Sequence, residues 1–111
     1  MVIYPAIVHD GCIFAFEISK VFIGVPQICR FLRVLPDVDQ IEKRRWFESG
    51  DIHIRFTYRG AAFIVSEPYG DNSRYWIGPS EEGCKVPACH LAAAFQGYST
   101  SFFMKLIGFF S

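Results

Sequence analysis

Between Asp51 and Ser66 the chain reads DIHIRFTYRGAAFIVS, and this stretch restricts the fold more than any other. Ile52, Ile54, Phe56 and Tyr58 alternate with Asp51, His53, Arg55, Thr57 and Arg59. A period of two marks a strand with one face in a core. Arg59-Gly60 supplies a turn, because glycine takes positive φ without a steric cost. AAFIVS then returns in the aromatic and β-branched types that suit a pleated surface. Closing the chain at Arg59-Gly60 sets Tyr58 opposite Ala61, Phe56 opposite Phe63, Ile54 opposite Val65 and Ile52 opposite Glu67. The first three pairs join apolar side chains, and a slip of one residue would turn each set to the wrong face. The other face then carries His53 opposite Ser66, Arg55 opposite Ile64 and Thr57 opposite Ala62.

The rest of the chain is read outward from this hairpin. EPYGDNS, residues 67–73, is dense in turn formers and predicts a surface loop, and RYWIG returns as a third strand ended by Gly78-Pro79. Upstream, Val2–His9 and Cys12–Ser19 are apolar β-type runs joined by Asp10-Gly11, a hairpin signal. Pro5 lacks a ladder donor, so the first run lies at a sheet edge or is broken there. Pro26 suits the first turn of a helix carrying Ile28, Phe31, Leu32 and Leu35 on one stripe, and Pro36 stops it. Asp37 with Gln40 three residues on has the form of a capping box and predicts a helical turn over 37–42. Trp46-Phe47-Glu48 then predicts a strand of about five residues feeding the hairpin. Pro87 opens a helix containing LAAAF that fades at Gly97, and Phe102, Phe103, Leu106, Ile107 and Phe110 predict a second short helix with a core-like stripe. Together these elements predict a single α+β domain over 1–111. Its antiparallel sheet has about five or six strands, a meander over 43–78 plus the N-terminal hairpin, with helices packed mainly on one face.

Composition narrows the function classes. Half the chain is hydrophobic and 12 residues are Phe, which excludes disorder. Eleven basic and eleven acidic residues cancel, so a broad electrostatic footprint for nucleic acid or anionic lipid is missing. No apolar run approaches the roughly 20 residues needed to span a bilayer. The opening MVIYPAIVHDG lacks the basic start of a secretory signal. Cys12, Cys29, Cys84 and Cys89 sit in apolar surroundings and read as reduced thiols of a cytoplasmic protein.

Three constellations carry candidate chemistry. Asp51, His53 and Ser66 are the residue types of a nucleophilic triad, but Ser66 lies in a strand without the strained turn and oxyanion donors that such a serine needs. Cys84, Cys89 and His90 form C-x4-C-H, which lacks the paired ligand clusters of a zinc site; small packed thiols are the plainer reading. The third comprises Glu67, Tyr69, Asp71, Arg74, Tyr75 and Trp76. It gathers carboxylates, a guanidinium and large aromatics on a loop held by strands, the residue types that anchor interfaces. Its plainer reading is a chain turn with Trp76 in the core.

The expectation is a small non-enzymatic cytoplasmic module that binds another protein through this aromatic and charged loop and an open sheet face. An accessory subunit, an inhibitor or an immunity-type partner would fit, without cofactor, nucleic acid or membrane; self-association is left open. The alternative is a small-ligand binder or hydrolase-like enzyme with a pocket near His53, Glu67, Asp71 and Arg74.

Overall fold

The computed structural model describes residues 1–21, 23–44, 50–67 and 73–98. In chain order these form β1 (Ile3–His9), β2 (Cys12–Ser19), α1 (Val25–Arg33), β3 (Val38–Lys43), β4 (Ile52–Tyr58), β5 (Ala61–Ser66), β6 (Arg74–Pro79) and α2 (Cys89–Gln96). The strands make one six-stranded sheet in the order β1-β2-β6-β5-β4-β3, and every adjacent pair is antiparallel. The fold is α+β: a four-stranded meander from β3 to β6, joined along β6 to the N-terminal hairpin.

Both tight hairpins turn for the same physical reason. Asp10 and Gly11 have φ of 51° and 77°, and Arg59 and Gly60 have 49° and 81°. Two successive left-handed residues match the right-handed twist of the flanking strands, which is why such turns close two-residue hairpins. Arg59 is an unusual occupant of the left-handed region. Its N–H donates to the Asp37 carbonyl at 3.0 Å, and its Nε and Nη2 each lie 3.1 Å from Asp37 Oδ2.

The expected register holds through most of the central hairpin. Tyr58 faces Ala61, Thr57 faces Ala62, Phe56 faces Phe63, Arg55 faces Ile64 and Ile54 faces Val65. It fails at the end away from the turn. Ile52 faces Ser66 instead of Glu67, because His53 is an extra residue in the ladder. A bulge of this kind leaves one residue unpaired and re-aims its side chain.

Residues 37–42 are not helical. Val38 faces Tyr58 and Asp39 faces Thr57, so the segment is edge strand β3, bulged between Asp39 and Glu42 with Gln40 at φ 49°. The capping-box pattern was overridden by pairing: Asp37 spends its carboxylate on Arg59 and its carbonyl on the β4–β5 turn. The expected strand over Trp46-Phe47-Glu48 and the expected helix over 102–110 lie outside the described residues.

The core joins alternate positions of four strands to both helices. Phe16, Ile18, Ile54, Phe56, Tyr58, Phe63, Val65, Tyr75 and Ile77 cluster with Ile28, Cys29 and Leu32 of α1 and with Leu91, Ala92 and Phe95 of α2. Helix α1 contacts β3 and β4, and α2 contacts β1 and β2. Aromatic rings bind the halves together. Phe95 meets Phe16 at 5.6 Å and Phe31 at 4.9 Å between centroids. Phe63 meets Phe56 at 5.8 Å and Tyr58 at 5.2 Å. Each such side chain, fully buried, contributes about 1.5–3 kcal/mol of transfer free energy.

Helix α1 starts at Gly24, whose N–H donates to Gln27 Oε1 at 3.2 Å, and ends with Arg30 and Arg33 beside the last carbonyls. Cations there complement the negative end of the helix dipole. Helix α2 begins two residues after Pro87 and is tied to the N-terminal hairpin, the Ala88 N–H donating to the Ile13 carbonyl at 2.7 Å. No helix among the described residues is long and apolar enough to cross a membrane.

Candidate binding groove

Strand β6 divides the predicted binding residues between the two faces of the sheet. Tyr75, 7% exposed, faces Ile18 across the β2–β6 ladder and belongs to the core. Arg74 and Trp76 point the other way, toward the side carrying Glu17, Ser66 and Ile64. Tyr69 and Asp71 lie outside the described residues.

On the core-facing side, the bulge at His53 creates a charged cluster at the open end of β4 and β5. His53 Nε2 lies 2.6 Å from Glu67 Oε1, and the other Glu67 oxygen pairs with the Lys20 ammonium. The His53 ring meets the edge of Tyr75 at 5.9 Å, and Lys20 Nζ stands 5.4 Å from the centre of the Tyr75 ring. Burial by itself pushes the Glu67 carboxyl up, but hydrogen bonds from Lys20 and His53 outweigh it and hold the group below its ordinary value of 4.5. Burial pushes the Tyr75 phenol up, and the neighbouring Glu67 charge adds to this.

A pH dependence follows. A carboxylate whose folded pKa is depressed contributes stability that is present above its unfolded pKa and is lost as pH falls through the folded value. Glu67→Gln is expected to cost about 1–3 kcal/mol at neutral pH, the scale of a lost charged hydrogen bond. The variant should also show a shallower loss of stability between neutral and acid pH than the parent. Urea unfolding of both proteins across that range checks it; parallel curves would dissociate Glu67 from the acid limb.

The triad residues do not assemble. His53 is engaged with Glu67 and Tyr75, whereas Ser66, 5% exposed, lies between Ile52 and Trp76 as cross-strand neighbours. Asp51 is exposed, and its carbonyl accepts the Glu67 N–H at 2.9 Å. The expected facing of His53 and Ser66 is therefore corrected: the bulge turns His53 to the Tyr75 side. Arg74 does not join His53 and Glu67 either. Its guanidinium lies 3.6 Å from the centre of the Tyr4 ring, and its Nη1 is 3.4 Å from Glu17 Oε1.

The cysteines and His90 turn to separate neighbours. Cys84 Sγ donates to the Val86 carbonyl at 3.9 Å, and Cys89 Sγ donates to the Ile13 carbonyl at 3.8 Å. His90 is exposed and borders a small hollow beside Tyr58 and Leu91. The thiol of Cys89 also hydrogen-bonds Cys12 and pushes that thiol above its ordinary 9.0. Among the described residues no group of three or more His, Cys, Asp or Glu side chains could hold a metal ion.

Among the described residues, a concave feature lies on the Trp76 side of the sheet. A groove of about 640 Å³ runs between Ile7, His9 and Phe14 on one wall and the 79–85 loop on the other, with Trp76 in its floor. Its volume falls in the range of sites that enclose ligands or side chains, about 300–1,000 Å³. Two irregularities build the hairpin wall. Ala6 and Phe14 are extra residues in the β1–β2 ladder, and the His9 and Phe14 rings meet edge to face at 5.7 Å.

The floor depends on a missing side chain. A Cβ at Gly78 would stand 2.7 Å from Trp76 Cη2 and 2.6 Å from Ala15 Cβ, so the benzo ring of the indole lies over the Gly78 backbone. Among the described residues proposed from sequence for binding, Trp76 is the one that lines the groove, and Cys84, proposed as a metal candidate, lines its loop wall. Ile7, His9, Phe14 and the rest of the 79–85 loop escaped notice because they reach Trp76 only through the long-range pairing of β2 with β6. Glycine at position 78, two residues beyond an aromatic in a strand, was the available signal for a close approach. No known family model, curated protein sequence or solved structure matches the chain.

Proposed function

We propose that this chain is a small non-enzymatic cytoplasmic module that binds another protein on the Trp76 side of its sheet, as an accessory subunit, inhibitor or immunity-type partner. In this reading the helices cover mainly one face, and the opposite face is left for the partner. The observation that carries it is the groove of about 640 Å³ floored by Trp76 and walled by Ile7 and Phe14. Ile7 is 38% exposed on that wall, which adds apolar surface at edge strand β1. Exposed apolar patches with an aromatic anchor are the usual energetic centres of protein interfaces.

The enzyme alternative draws on one contact, the 2.6 Å hydrogen bond between His53 and Glu67. A carboxylate can orient a catalytic imidazole. Here the same carboxylate is neutralised by Lys20 and the ring is packed against Tyr75, an arrangement that suits a structural ion pair.

The test is quantitative capture from a native cell extract with the parent protein and Trp76→Ala. The variant is expected to fold, since Trp76 is only half-buried, and to lose a specific partner by about 2 kcal/mol or more, the scale of an aromatic hot spot. Equal retention of the same proteins by both would sink the reading.

A further inference from the structure

We infer that the groove receives an arginine side chain of the bound protein, its guanidinium stacked on Trp76 and paired with Glu81 and Glu82. The inference deepens the protein-binding reading and rests on it. Four observations support it. First, the groove combines aromatic rings with carboxylates: Trp76 and Phe14 line it, and its loop wall carries Glu81 and Glu82 beside Lys85. His9 stands on the other wall, so with His9 neutral the acidic groups outnumber the basic one. Second, both glutamates are exposed, and neither they nor Lys85 makes an ion pair or cation–π contact among the described residues.

Third, the benzo ring of Trp76 packs at the Gly78 gap, and Trp76 is only half-buried and lines the groove, so part of the indole is open to a ligand there. An aromatic face, not its edge, attracts a cation. Fourth, the same side of the sheet already holds this arrangement within the chain. Arg74 lies 3.6 Å over the Tyr4 ring and 3.4 Å from Glu17, itself the cross-strand neighbour of Trp76. The groove offers a second aromatic face and a second set of carboxylates with no arginine of its own.

Arginine fits better than the other candidates for physical reasons. A planar guanidinium can stack on the indole while its edge donates to carboxylates, which a compact ammonium cannot do simultaneously. Its methylene stem would run along Ile7 and Phe14. A phosphate or acidic peptide would meet Glu81 and Glu82 as like charges, and a purely apolar side chain would leave both carboxylates unused.

The experiment uses full-length ¹⁵N-labelled protein and follows the Trp76 indole N–H resonance, assigned with Trp76→Phe. Four capped tripeptides are titrated, identical except for a central arginine, citrulline, lysine or glutamate. Arginine is expected to shift the resonance saturably, and its neutral isostere citrulline to bind roughly five- to thirtyfold more weakly, the range for a cation on an aromatic face. Glu81→Gln with Glu82→Gln, on an exposed loop, should weaken arginine and narrow its preference over citrulline without abolishing it, and added salt should weaken arginine binding.

Citrulline binding as tightly as arginine would overturn the inference while leaving the protein-binding reading intact. Lysine binding as tightly as arginine would overturn the choice of a guanidinium. A Trp76 resonance unmoved by arginine at saturation of the measurable range also overturns the inference; the capture experiment with Trp76→Ala then decides separately whether the protein-binding reading survives.

Discussion

Phe63→Ala is expected to lower the unfolding free energy by about 3–5 kcal/mol, the cost of removing a fully buried phenyl ring together with the cavity it leaves. Phe63 is 1% exposed and sits on β5, with β4 on one side and β6 on the other. Its ring touches Phe56 at 5.8 Å and Tyr58 at 5.2 Å, so truncation strips partners from two further core aromatics. A central strand hydrogen-bonded on both edges cannot shift to fill the space, which places the cost in the upper part of the range. A domain with a total stability of about 5–15 kcal/mol would lose a large share of it. Phe63→Leu keeps most of the volume and should cost about 1.5 kcal/mol or less. Phe14→Ala, on a half-buried ring in the groove wall, belongs with surface substitutions and should stay within about 1 kcal/mol. Urea midpoints of the three variants rank them directly. A Phe63→Ala protein as stable as Phe14→Ala would mean that the ring is not in the core.

The pairing of Phe63 with Phe56 was legible in the sequence for a local reason. Phe56 and Phe63 are separated by seven positions across a two-residue turn, so turn chemistry and alternation alone fix their pairing. Ile52 and His53 show where that logic ends. Alternation predicts His53 on the side of Ser66, but the bulge places it against Glu67 and Tyr75, where Lys20 completes the charge pairing. Lys20 lies 47 residues from Glu67 in sequence, and no local pattern reports such a contact. The segment from Asp37 illustrates a second limit. Its capping pattern is a valid local preference, yet the free edge of β4 and the Arg59 guanidinium offered the backbone and carboxylate better partners. The groove was hidden for the same reason as the Lys20 contact. Trp76 was visible as an interface-type residue, whereas its companions come from β1, β2 and the 79–85 loop, which only the β2–β6 pairing brings together.

Gly78 is where the fold and the groove meet, and Gly78→Ala is expected to disturb both. Glycine is required here by space and not by backbone conformation, since Gly78 is absent from the positive-φ residues, Gly11, Gly50, Gly60 and Gly83. A methyl group would stand 2.6 Å from Ala15 Cβ and 2.7 Å from Trp76 Cη2, distances at which something must move. Ala15 is fixed beside the ladder in which Phe16 faces Ile77, so it yields only if β2 separates from β6. Trp76 is half-buried and lines the groove, so the indole is the group that swings away. The expected result is a loss of about 1–3 kcal/mol in stability from overpacking, accompanied by a displaced Trp76 indole resonance and weakened partner capture. Ala15→Gly in the Gly78→Ala background removes one of the two clashes. It should restore part of the stability, with a coupling of roughly 0.5–3 kcal/mol between two side chains in contact. It should leave the indole displaced, because the contact between the new methyl and Trp76 persists. Stability and groove shape therefore separate in this pair of variants. A Gly78→Ala protein with parental stability and an unmoved Trp76 resonance would show that the indole does not lie over the Gly78 backbone, and the floor of the groove would have to be redrawn.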